Sequence, residues 1–202
     1  MRQGEVDTPL RSDPIATAIL AVLIVVLLLL LGRLGWMLYA YDLRELMEVN
    51  PRVLPAYLFG LFMRYVLPSA AALWYLLARN KGGRGARCAV MACAIVPAVQ
   101  CFTIAVLIYR ETGVLLLSGR VVAFLLCSAG MGYVAYRLYQ QRPLGMAILL
   151  ALGGAMSVCA LWPGHNGQPS TDLLFLALGL LLPTLALLHA RRVALPEEGL
   201  TR

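Results

Sequence analysis

The apolar residues of this chain neither alternate nor recur at the spacing of one helical face. They fill whole stretches of 18 to 26 positions, and short polar clusters separate those stretches. Crossing a hydrocarbon core at 1.5 Å per residue takes about 20 apolar residues in a helix. Six segments meet or nearly meet that length: 15–32, 53–78, 88–109, 114–136, 144–162 and 173–190. The pattern therefore predicts an all-α integral membrane protein, a six-helix transmembrane bundle forming one domain. Barrel strands would show alternation over about ten residues, which these runs lack.

The first run is the purest, with 19–31 made only of Ala, Val, Ile and Leu. It continues into Gly32-Arg33-Leu34-Gly35-Trp36 without a small-residue cleavage motif, so it reads as a retained span and not a signal peptide. The segment 36–51 that follows carries Trp36, Tyr39 and Tyr41, residue types favoured where lipid meets water. It either extends the first helix or lies along the outer surface.

Charge sets the orientation. Arg79, Lys81, Arg84 and Arg87 make the loop after the second span the most basic, and basic residues are retained on the cytoplasmic side. Alternation then places both tails, about 1–13 and 193–202, inside. Eleven basic residues fall on the inner side and four on the outer. Composition agrees with this class: 61% of the residues are hydrophobic and 13% charged, against roughly half and a quarter in a soluble domain. The net charge of +7 follows from the same loop bias, and no loop is large enough for a nucleic-acid module. Sixteen of the seventeen basic residues are Arg, which with abundant Ala, Gly and Leu suggests a GC-rich bacterial genome and hence a multi-pass protein of the inner membrane.

Small residues mark packing faces. Ser128 and Gly132 in the fourth span and Gly153 and Ser157 in the fifth predict a close helical hairpin. Pro68, Pro97 and Pro183 fall inside spans, where each removes a backbone donor and tends to kink its helix. The five cysteines, Cys88, Cys93, Cys101, Cys127 and Cys159, read as small buried apolar residues, with no C-x-x-C among them.

The chain carries no recognisable catalytic constellation. No Asp or Glu lies within a span, and the two histidines, His165 and His189, fall on opposite sides of the membrane. No metal-binding, nucleophile-elbow or phosphate-loop motif occurs, so no cofactor or metal is implied. Missing intramembrane carboxylates also count against ion-coupled transport.

Two arginines stand where topology gives them no reason to be. Arg64 is the twelfth residue of the second span, roughly 16 Å along the helix from its start. Arg120 is the seventh of the fourth span, roughly 9 Å along. A central Arg costs about 2.5–3.5 kcal/mol on insertion scales, so each needs a partner. Gln100 and Tyr133 are the candidate partners within the spans. Helix carbonyls are further acceptors; otherwise the guanidinium snorkels toward the surface, which suits Arg120 better than Arg64, or it awaits an anion from outside the chain, such as a lipid phosphate or an acidic solute. A rival segmentation lays 54–64 on the membrane surface and leaves only 65–78 to cross, which is too short.

Six helices in about 200 residues with both ends cytoplasmic resemble, in layout alone, the substrate-binding subunits of energy-coupling-factor vitamin transporters. That resemblance rests on topology and assigns no residue here. The expected function is a non-catalytic membrane interaction or accessory protein, embedded in lipid and acting through a membrane-protein partner. The alternative is binding or transport of an anionic lipid or small solute through Arg64, Arg120, Gln100 and Tyr133. An intramembrane enzyme is the third class.

Overall fold

The computed structural model describes residues 13–40, 53–80, 83–112, 119–140 and 171–194. All the secondary structure among the described residues is helical. The first helix, α1 (Pro14–Ala40), begins where the sequence Asp13-Pro14 permits a clean start. Asp13 Oδ1 accepts the Ile15 N–H at 3.0 Å, and Pro14 occupies a first-turn position whose N–H would have no partner in any case. At 1.5 Å per residue its 27 residues span about 40 Å, more than the hydrocarbon core needs. Residues 36–40 thus extend the first helix; the rest of the 36–51 segment lies outside the described residues, apart from that extension.

The second helix, α2, runs from Val53–Leu61 through a π-helical turn, Phe62–Val66, into Leu67–Ala78. It passes straight through Arg64, so a surface segment that stops at this residue is set aside. The remaining helices are α3 (Gly83–Thr112), α4 (Gly119–Tyr139) and α5 (Thr171–Ala194). Pro97 and Pro183 lie inside α3 and α5 without ending them. Five helices among the described residues are long and apolar enough to cross a membrane. The expected span 144–162 lies outside the described residues.

Side-chain contacts give the helix directions. Cys93 reaches the Ala71 carbonyl and Gln100 the Met63 carbonyl, so α3 runs antiparallel to α2. Tyr65 lies against Phe175 and Tyr75 against His189, so α5 runs parallel to α2. Arg33, late in α1, sits over the Phe175 ring, early in α5, which makes those two antiparallel. Residues 14 and 194 are therefore at the same end of the bundle, as tails on one side of a membrane require. On α4, Ser128 donates to the Ala98 carbonyl at 2.8 Å, and the Cys127 and Cys101 thiols meet. With α4 antiparallel to α3, Tyr139 and Thr171 stand at opposite ends, and residues 141–170 connect them.

The main core gathers Leu23, Leu30, Tyr65, Ala72, Cys93, Val134 and Leu182 from all five helices. A smaller cluster, including Phe124, Val121 and Leu180, fastens α4 to α3 and α5. Ser128 is engaged by α3, Gly132 meets no described atom within 4 Å of where a Cβ would be, and the expected partners Gly153 and Ser157 lie outside the described residues. Cys93, Cys101 and Cys127 are buried as expected, but Cys88 is exposed because it lies on the outward face of α3, next to Ala89, which packs in the core.

Candidate functional site

The site begins with a proline. In α-helical register the Arg64 carbonyl would accept from residue 68, but Pro68 has no N–H and its ring crowds that carbonyl. The chain answers by widening: the Leu67 N–H reaches back five residues to Phe62 O, which defines the π turn. Widening leaves a second carbonyl short, because the five-residue partner of Met63 O is again Pro68. Gln100 fills that vacancy from α3, its Nε2 donating to Met63 O at 2.5 Å. The third helix fits by having no side chain at the contact. A Cβ on Gly179 would lie 2.9 Å from Arg64 O, so only glycine lets α5 approach here.

Gln100 is almost wholly buried, with 3% of its surface exposed. Its Nε2 is committed to Met63, which fixes the amide orientation and leaves Oε1 buried without a hydrogen-bond partner. That oxygen belongs to a residue lining a narrow slot of about 70 Å³ between α2 and α3, with Leu176 of α5 behind. From α2 come Phe59, Gly60, Met63 and Arg64; from α3, Thr103, Ile104 and Leu107 line the side away from Gln100. Thr103 spends its hydroxyl proton on Val99 O at 2.9 Å, so toward other groups it is an acceptor.

Arg64 is exposed on the outer surface of α2, with exposed Phe59 and Phe62 beside it. No hydrogen bond, ion pair or ring contact joins its side chain to any described residue. Sequence reasoning offered Gln100 as an acceptor for this guanidinium. The structure brings the two residues to the same slot, but the Gln100 amide donor serves the helix backbone instead. Tyr133 is placed elsewhere: it is exposed on α4, where the Arg137 guanidinium lies 5.9 Å from its ring centroid. Arg120 is the second residue of α4, and its side chain lies outside the described ones. The structure thus unites two of the four candidate residues, Arg64 and Gln100.

A second buried polar contact lies one helix half away. The Tyr75 hydroxyl and His189 Nδ1 are 2.6 Å apart, with the rings edge to face, and both residues are buried. This bond ties α2 to α5 at the end opposite the slot. It is structural in character, since Tyr75 and His189 satisfy each other. Replacing Tyr75 by Phe removes the hydroxyl and strands His189 Nδ1, so a loss of about 1–3 kcal/mol is expected in denaturant-induced unfolding of the micelle-embedded protein.

Neither residue was a candidate site from sequence. His189 was visible as a histidine at a helix end, but nothing in the sequence linked it to a tyrosine 114 positions away. Comparison with protein-family models, curated proteins and solved structures gives no match for this chain.

Proposed function

We propose that this protein is a membrane interaction or accessory subunit of a bacterial inner membrane, which assembles laterally through the face of α2 that carries Arg64. One observation carries the reading: a permanently charged residue stands near the middle of a crossing helix, exposed among aromatic side chains and without a partner among the described residues. A charge so placed raises the free energy of the isolated chain by about 2.5–3.5 kcal/mol on insertion scales. Such a residue is an asset only when something outside the chain neutralises it. Binding of a free solute is less well supported. The slot beside Arg64 has a volume of about 70 Å³, whereas pockets that enclose small molecules run from about 300 Å³ upward.

The sign of a stability change tests this reading. Arg64→Leu is expected to make the isolated protein more stable, by up to about 2.5–3.5 kcal/mol in lipid, and to abolish stoichiometric co-purification of its membrane partner. Reversible unfolding in bicelles measures the first quantity and quantitative pull-down from native membranes the second. A destabilised Arg64→Leu protein would mean that its own fold satisfies the guanidinium, and the reading would fail.

A further inference from the structure

We infer that the group received at Arg64 is the side-chain carboxylate of an Asp or Glu in a transmembrane helix of the partner, and that this helix seats on the Ala56–Gly60–Arg64 face of α2. The inference rests on the assembly reading above and specifies the chemistry of its partner.

Among the described residues no carboxylate pairs with Arg64. Its ten acidic residues all lie outside the apolar stretches, and 144–162 contains none. The nearest along the packed helices are Asp172 and Glu111. They stand roughly 10 Å and 16 Å along their helix axes from Gly179 and Gln100, the residues level with Arg64.

The shape of the face selects a helix. Ala56 and Gly60 stand four residues apart on α2 and Arg64 four further on; Ala56 and Arg64 are exposed, and half-buried Gly60 opens onto the slot. Gly60 meets nothing within 4 Å of where a Cβ would be, which leaves a notch one turn from the charge. Small residues at this spacing admit a second helix backbone to close range, where van der Waals packing drives association in lipid. Helical side chains lean toward the N-terminal end, so Arg64 lies toward this notch.

The polarity of the slot disfavours a phospholipid. Its polar end, Arg64 and Gln100, is near mid-depth, and its walls turn apolar toward Leu107, roughly 10 Å along α3 toward the membrane surface. A phospholipid in that leaflet has the reverse order, with its head at the surface and its tails at mid-depth. A crossing helix with one acidic residue among apolar ones matches the slot at both levels.

The test uses the full chain in a bacterial membrane, co-expressed with single-span probe helices of Leu and Ala with one small-residue face. The probes carry a central Glu, Gln or Lys. Capture of the Glu probe should exceed that of the Gln probe at least tenfold. Arg64→Gln should abolish the difference, and Gly60→Leu should weaken capture while leaving the charge in place. Arg64→Glu should reverse the preference, capturing the Lys probe over the Glu probe.

Equal capture of Glu and Gln probes, or unchanged capture by Arg64→Gln, would overturn the inference. So would mass spectrometry of the intact protein showing Arg64-dependent retention of an anionic lipid with no probe captured. If a native partner still co-purifies in an Arg64-dependent way while charge reversal fails, the assembly reading stands and the carboxylate assignment falls.

Discussion

Replacing Gly179 by alanine is expected to destabilise the protein by about 1–3 kcal/mol, although alanine is the better helix former. Two effects of opposite sign compete at this position. Helix propensity favours Ala over Gly by about 0.8–1.0 kcal/mol. Against it, the new methyl would sit 2.9 Å from the Arg64 carbonyl oxygen, a backbone atom that cannot swing aside. Relief requires moving α5 away from α2, and every contact between them loosens with it. The clash wins because it spreads over an interface, whereas propensity acts on one residue. Gly130 and Gly132 of α4 are the controls. An added Cβ meets no described atom within 4 Å at either, so alanine there should stabilise by about 0.5–1 kcal/mol. Unfolding in mixed micelles reads all three variants on one scale.

Gln100→Glu is the second substitution with a large expected effect, a loss of about 1–3 kcal/mol. The side chain keeps its size and loses its donor. Met63 O is then left facing a carboxyl oxygen, and it has no alternative partner, because the backbone donor it would take in the widened turn belongs to Pro68. Interhelical hydrogen bonds in membranes are often worth only about 0.6 kcal/mol because the separated helices find other partners. That escape is closed here, which places the loss above the average. Gln100→Asn keeps the amide but shortens the reach and should fall between the two. Destabilisation of Gln100→Glu that disappears in acid, where the carboxyl regains a proton to donate, would identify the missing donor as the cause. Equal stability of Gln100→Glu and the parent protein at neutral pH would contradict this account.

The helices were legible because hydrophobic length alone distinguishes a crossing segment, and four of the five expected spans that fall among the described residues begin and end within five residues of the helix ends. The fit is looser for α1, which runs eight residues beyond the expected end because Trp36, Tyr39 and their neighbours tolerate helix outside the apolar stretch. Arg64 was legible for a related reason: a charge inside an apolar run is conspicuous. Its surroundings were less so. Pro68 signals a disturbed helix, but the sequence does not say whether the chain kinks, stops or widens. That outcome depends on a donor 32 positions later, Gln100, and on the bare backbone of Gly179. Tyr133 stands out in the sequence as a polar side chain inside a span. Its exposed side of α4 is set by which face of that helix packs against α3, a tertiary fact. The Tyr75–His189 pair was hidden for the same reason.

The widened turn also separates two properties of α2 that a uniform helix would bind together. Above Pro68 the helix displays Ala56, Gly60 and Arg64; below it, Tyr75 and Ala72 anchor the bundle. A turn closed at five residues absorbs an angular offset of roughly one residue, about 100°. Insertion or loss of a single residue between Leu61 and Leu67 would therefore swing the upper half by that angle and carry Tyr57 and Leu61 out of the core, while Tyr75 and Ala72 keep their place. The length of this one turn thus fixes which face of α2 looks outward.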